Sequence, residues 1–174
     1  MAFLAQLDAI DGRRLNLLER LLLVNDGTLT DALEMAFLEP IALEKISIEL
    51  TDTGDWPEAL EAAPGNTIMD RRIVLRGEQT GRPFVFAESW IVLDRLPAGM
   101  REKLLGSGIP IGRLWTEYKL ETRKEILRFW RQPAGAIGAS LGVPERETLL
   151  ARSYRVVRDN LPIMIITEYF RATL

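Results

Sequence analysis

NTIMDRRIVLRG, residues 66–77, alternates as a β-strand, and the way its two rows divide sets how the rest of the chain is read. Arg71 falls in one row with Ile73 and Leu75, whereas Arg72, Val74 and Arg76 form the other. A permanently charged guanidinium therefore stands on the row that looks apolar. LPIMIITEYF, residues 161–170, repeats the pattern with the opposite sign: Met164, Ile166, Glu168 and Phe170 share a row that holds one carboxylate among large hydrophobes. One inward arginine and one inward glutamate predict a buried polar site.

The chain has 174 residues, 47% of them hydrophobic, which fits a single domain over residues 1–174 with a core large enough to enclose a ligand cavity. It contains no histidine and no cysteine. Disulfides, thiol nucleophiles, Ser-His-Asp arrangements, imidazole acid–base catalysis and Cys/His metal sites are thereby excluded. A formal net charge of -3 offers no overall attraction to nucleic acid. The excess of arginine over lysine is read as codon bias rather than as a site. MAFLAQLDAIDGRRL has no basic region followed by an apolar one, and no apolar run approaches the roughly 20 residues of a membrane span, so a cytoplasmic protein is expected.

Residues 13–24, RRLNLLERLLLV, place leucines at helical spacing, with Asp11-Gly12 ahead as a start signal. Asn25-Asp26-Gly27 then supplies a turn and Thr28 or Thr30 an N-cap, so a second helix is predicted from about 30 to 38, ended by Pro40. That helix is acidic and would repel phosphates, which argues against DNA reading. IALEKISIELTD predicts a strand, and GDWPEALEAAPGN a loop with room for one helical turn. MDRRIVLRGEQ and RPFVFAESWIVLDRL, joined around Thr80-Gly81, predict an antiparallel hairpin. PAGMREKLLGSGIPIGRLWTEY is a second helix-turn-helix element broken at Gly-Ser-Gly-Ile-Pro. YKLETRKEILRFWRQ is ambiguous, because Leu120, Thr122, Lys124, Ile126 and Arg128 do not alternate cleanly and Glu and Lys favour helix. PAGAIGASLGVPERE reads as a loop, and the chain closes with a hairpin turning at Asp159-Asn160. Two helices, several antiparallel strands, a helical excursion and more strands make an α+β fold.

Two readings of Arg71 stand side by side. It is either one half of a core ion pair, with Glu168 as a candidate partner, or a bidentate clamp for a ligand carboxylate, with Glu168 accepting from a hydroxyl at the ligand's far end. A small, flat, acidic ligand with a hydroxyl opposite its carboxylate suits the second. GSGIPIGRLW, residues 106–115, also has two readings: Gly108, Pro110 and Gly112 break a helix, or they expose backbone N–H groups to an oxyanion. It is neither a Walker loop nor a Rossmann fingerprint. Glu88 shares a row with Phe84, Phe86 and Trp90 and is a third candidate inward polar residue. Trp56, Trp115 and Trp130 read as packing, and the carboxylates of DALEMAFLE as a solvated helix face.

LLLVNDGTLTDALE, RRIVLRGEQTGRPFVFAES, PIGRLW and LPIMIITEYF, in that order and spacing, resemble the chorismate lyases, also called chorismate pyruvate-lyases. The resemblance runs over most of the chain. It implies an antiparallel sheet with two helix-turn-helix flaps over an internal site. It also implies conversion of chorismate to 4-hydroxybenzoate and pyruvate without metal or cofactor, in service of ubiquinone or related quinone or phenolic biosynthesis. By the same resemblance Arg71 grips the product carboxylate together with the backbone N–H of Ile111, Glu168 meets the phenol hydroxyl, and Leu29 borders the ligand. Residues 120–130 become a strand against their local propensity. Arg71 and Glu168 are the catalytic expectations; whether the proton moves through Glu168 or within the substrate stays open.

The chain departs from the family in carrying Ile111 where leucine is familiar, which leaves a backbone donor in place. It also carries Glu88 about where the well-known enzyme type has an arginine, a charge reversal expected near the ligand. The rival reading is a non-catalytic binding domain for an aromatic carboxylate, as in the effector-binding domains of bacterial transcription regulators. Those follow a winged-helix domain, for which the stretch after Met1 has no room, so the enzyme is expected. The sequence does not specify an oligomeric state.

Overall fold

The computed structural model describes residues 10–52, 54–106 and 109–171. Six strands, β1 (Ile41–Thr51), β2 (Ile68–Gly77), β3 (Pro83–Val92), β4 (Arg123–Pro133), β5 (Thr148–Arg158) and β6 (Leu161–Arg171), form one sheet in the order β1-β2-β3-β6-β5-β4. Every neighbouring pair is antiparallel. The helices are α1 (Leu17–Val24), α2 (Leu29–Phe37), α3 (Ala98–Gly106), α4 (Ile111–Tyr118) and the short α5 (Ile137–Leu141). The α+β class and the two helical hairpins are those expected.

Both hairpins pack on one face of the sheet. Leu22, Leu23 and Leu33 of the first are buried with Leu75, Val85 and Phe170. Met100, Leu104 and Leu114 of the second are buried with Met69, Ile91 and Met164. The opposite face is covered by α5, against Val74, Phe86 and Tyr169, and by the segment carrying Trp56 and Leu60. With cover on both sides, β2 and β6 are buried along nearly their whole length, which is why neither reads as a plain inside–outside strand.

Local chemistry sets the element ends. Asn16 accepts from the Glu19 N–H at 2.8 Å while Glu19 accepts from the Asn16 N–H at 2.8 Å, a capping box that starts α1. Asp11-Gly12, expected to start this helix, instead opens a separate 3-10 turn at Gly12–Arg14. The stretch 133–147, expected to be a loop, contains α5. Glu39, expected on a solvated face, is buried and accepts from the N–H groups of Gln79 and Thr80 in the β2–β3 turn. Gly77 makes room for it, since a Cβ there would lie 2.4 Å from the Glu39 carboxyl.

Two of the sheet's bulges bear on how its rows are read. In β3, Val85 pairs with Leu75 and Pro83 with Arg76, so Phe84 is the extra residue. Its ring stacks on Phe37 of α2 with centroids 4.1 Å apart, which takes it out of the row of Phe86, Glu88 and Trp90. In β4, Ile126 pairs with Tyr154 and Arg128 with Ser153, so Leu127 is extra. The apolar row therefore runs through Ile126 to buried Phe129, not to Arg128, and the broken alternation of this strand is a phase slip.

Candidate active site

Between the hairpins and the sheet lies a cavity of about 260 Å³. That is just below the roughly 300–1,000 Å³ common for small-molecule sites and suits a single-ring ligand. Its floor follows from register. Arg71 of β2 lies opposite Ser89 of β3, and Ala87 of β3 lies opposite Glu168 of β6. Arg71 and Glu168 thus stand two strand spacings apart, roughly 10 Å across the sheet. Between them β3 presents the small side chains of Ala87 and Ser89, and that is what leaves the space open.

At one end, Arg71 is 1% exposed and donates from Nη2 to the carbonyl of Ile109 at 3.2 Å. Its Nε has no hydrogen-bond partner, and among the described residues it forms no ion pair. Burial without a counter-charge pulls its pKa down to about 10. It stays cationic at neutral pH but lacks an anion. The bond to Ile109 brings the guanidinium beside the start of α4, whose first residues, Ile111 and Gly112, also border the cavity. The start of α2, with Leu29 and Thr30, borders it from the other hairpin. Both flaps therefore offer it a helix N-terminal turn, where free N–H groups and the helix dipole favour negative charge.

At the other end, Glu168 is 3% exposed. Its Oε2 accepts from Arg152 Nε at 2.5 Å and its Oε1 from the Tyr154 hydroxyl at 2.9 Å. Burial, and then the negative charge of Glu168, push the Tyr154 pKa well up, so the phenol remains a donor. Arg152 also donates from Nη1 to the carbonyls of Leu22, Leu23 and Asn25. These lie at the C-terminal end of α1, which carries no basic residue of its own in its last turn, so β5 supplies the cation that end favours. Lys124 of β4 is half-buried on the same wall and donates to the Gly27 carbonyl at 2.5 Å. Burial, then the charge of Arg152, lower its pKa.

The flaps meet over the cavity. A Cβ on Gly112 would lie 2.6 Å from Thr28 Cγ2, so glycine is what lets α4 approach the start of α2. Arg113 of α4 pairs with Glu34 of α2 at 3.2 Å.

Of the expected site residues, Arg71, Leu29, Ile111 and Glu168 border this one cavity. Glu88 does not. It lies on the opposite face, where Tyr169 donates to it at 3.0 Å and Arg72 approaches it at 3.4 Å, so the charge reversal falls outside the cavity. The reading of Arg71 and Glu168 as each other's partners is corrected: Glu168 pairs with Arg152. Gly108 lies outside the described residues. Trp115 borders the cavity, donating to Thr122 Oγ1 at 2.9 Å, and is more than packing. Arg152, Tyr154, Lys124, Ala87 and Ser89 went unnoticed in the sequence. Arg152 carried the same signal as Arg71, an arginine in the row Leu150, Arg152, Tyr154, Val156.

The fold sets an enclosed cavity, with the buried guanidinium of Arg71 at one end and the Glu168 carboxylate at the other, under two helical hairpins. The chain belongs to the family described as Chorismate pyruvate-lyase Rv2949c-like, whose model matches residues 23–174. It is 34% identical over 154 residues to the chorismate pyruvate-lyase of Mycobacterium leprae (strain TN), covering 87% of this chain and 72% of that protein. It is 30% identical over 163 residues to the chorismate pyruvate-lyase of Mycobacterium tuberculosis (strain ATCC 25618 / H37Rv), covering 91% and 81%. Among solved structures, the effector domain of PhnF from Mycobacterium smegmatis superposes with a TM-score of 0.67 over 85% of this chain and 90% of that one. At 13% identity that likeness concerns the fold alone. No helix among the described residues is long and apolar enough to cross a membrane.

Proposed function

We propose that this protein converts chorismate to 4-hydroxybenzoate and pyruvate. The observation that carries the reading is the buried Arg71 without a carboxylate partner, set across the cavity from a Glu168 whose two oxygens are already oriented by Arg152 and Tyr154. The substrate's ring carries a carboxylate at one end and a hydroxyl at the other. Arg71 and the N–H of Ile111 take the carboxylate; Glu168 accepts from the hydroxyl; Leu29 and the start of α2 close over the ring.

The reaction is an elimination. The ether C–O bond breaks and its electron pair leaves with the enolpyruvyl oxygen. A proton leaves the carbon bearing the hydroxyl, and the C–H electron pair completes the aromatic ring. The enolpyruvyl methylene gains a proton to become the methyl of pyruvate, so no redox partner is needed. Aromatisation supplies the driving force, and the residues contribute position, charge and exclusion of water. Glu168, which meets the hydroxyl, is one route for the proton, and transfer within the substrate is the other.

Incubating the purified protein with chorismate, and following both products by chromatography beside an Arg71→Ala control, tests the reading. Equal formation of 4-hydroxybenzoate and pyruvate, lost in the control, is expected. Tight binding of 4-hydroxybenzoate without turnover would replace the lyase with a ligand-binding domain.

A further inference from the structure

Lys124 is a cation on the cavity wall that the Arg71–Glu168 axis leaves unused. It stands at the Glu168 end, its ammonium 5.3 Å from the ring centroid of Tyr154, the phenol that donates to Glu168. One hydrogen bond goes to the Gly27 carbonyl. An ammonium has three protons to donate, so among the described residues two are left for a ligand. The charged groups around it are Arg152, Glu168 and Asp26. Arg152 and Glu168 neutralise each other at 2.5 Å, and Asp26, which also borders the cavity, is exposed at its mouth, where water and salt screen its charge. The cavity therefore presents two cations at separate ends, Arg71 and Lys124, and the ring carboxylate satisfies only one.

Chorismate carries a second carboxylate, on the enolpyruvyl arm. The arm joins the ring beside the carbon that bears the hydroxyl. With the ring carboxylate at Arg71 and the hydroxyl at Glu168, the arm starts at the end where Lys124 stands. Resting on the lyase reading, we propose that Lys124 binds the enolpyruvyl carboxylate, a second anion subsite that separates the substrate from its aromatic product. Its charge also opposes the negative charge that gathers on the arm as the ether bond breaks, without Lys124 giving up a proton. Once the bond is broken, 4-hydroxybenzoate keeps the Arg71 and Glu168 contacts but has nothing for Lys124, and pyruvate takes its carboxylate away.

The test is Lys124→Met, which keeps length and removes charge. Chorismate kinetics and chorismate and 4-hydroxybenzoate affinities are measured by calorimetry and product assay in both proteins. Expected is a fall of about 10- to 100-fold in kcat/KM and in chorismate affinity, with 4-hydroxybenzoate affinity kept within about twofold. Equal weakening of both ligands would reduce Lys124 to an anchor for the Gly27 turn, and unchanged chorismate binding would remove it from the site; either result overturns the subsite. A wild-type protein that binds chorismate without turning it over would overturn the lyase reading instead, and the same affinity comparison would still decide the subsite.

Discussion

Arg152 closes on Glu168 from the directly opposite position of the neighbouring strand, Nε to Oε2 at 2.5 Å, with side-chain exposures of 0% and 4%. The pair ties the cavity floor to the first flap, because the same guanidinium holds the carbonyls that end α1. Removing either charge strands the other in the interior.

Glu168→Gln is therefore expected to cost on the order of 3 kcal/mol of folding stability as well as altering the ligand end of the site. Arg152→Met is expected to cost a similar amount. The double variant should be less destabilised than the sum by about 1–3 kcal/mol, since no lone charge remains. Urea unfolding of the four proteins checks this, and simple additivity would mean that the pair is not coupled. Lost turnover in Glu168→Gln carries weight only beside that stability measurement. Tyr154→Phe, which deletes one donor to Glu168 and leaves the ion pair, is the cleaner probe of how Glu168 is oriented.

Arg71 has the opposite economy. Its pKa is depressed because burial disfavours the charged form, so the folded state bears a penalty at every pH below about 10. The penalty is relieved as pH rises from there towards the ordinary arginine value, where the unfolded chain binds more protons than the folded one. Arg71→Met should raise the unfolding free energy of the ligand-free protein at neutral pH by about 1–3 kcal/mol while abolishing 4-hydroxybenzoate binding. Thermal unfolding with and without ligand measures both. A variant less stable than the parent would show that Arg71 is a structural residue rather than one waiting for an anion.

How far the site was legible depended on whether strand phase could be read locally. Arg71 and Glu168 sit in unbroken stretches of alternation, so the apolar residues that share their rows can be read from sequence although both faces of these strands are covered. Phe84 and Leu127 are bulge residues, and a bulge is set by what the neighbouring strand pairs with, which no local pattern records. The slip at Leu127 hid the strand that carries Lys124. Glu88 is expected near the site from its apolar row and from the resemblance, but its row-mate Phe86 is buried under α5 on the opposite face, so an apolar row alone does not mark the cavity side. Arg152 differs, since its row of Leu150, Tyr154 and Val156 alternates as clearly as that of Arg71 and its place among apolar residues is legible on the same ground. The buried place of Glu39 depends on the β2–β3 turn some 40 residues along the chain, which is beyond helix periodicity.

The contact between Gly112 and Thr28 predicts how the flaps hold a ligand. Gly112→Ala should improve the helix itself by up to about 1 kcal/mol, yet its Cβ meets Thr28 Cγ2, whose hydroxyl is tied to Asp31. The flaps must part to accept it. A fall of about tenfold in 4-hydroxybenzoate affinity is expected, carried by faster dissociation. Thr28→Ser removes the clashing methyl and should restore most of the loss. Stopped-flow dissociation of the two single variants and the double variant measures this; no rescue by Thr28→Ser would place the effect elsewhere.

The small residues of β3 give the most direct test of where the ligand lies. Ala87 is buried between Ile73 of β2 and Glu168 of β6, and its methyl faces the cavity. Most core positions punish a larger side chain by about 1–3 kcal/mol, because there is no room. Here the room exists. Ala87→Leu should leave the unfolding midpoint in urea unchanged or higher, since added apolar area fills the cavity without displacing packed atoms. The same atoms occupy the path between Arg71 and Glu168, so 4-hydroxybenzoate binding should disappear from calorimetry and chorismate turnover with it. A variant that folds as expected but still binds 4-hydroxybenzoate with parental affinity would mean that the ligand does not lie across β3, and the axis from Arg71 to Glu168 would have to be abandoned.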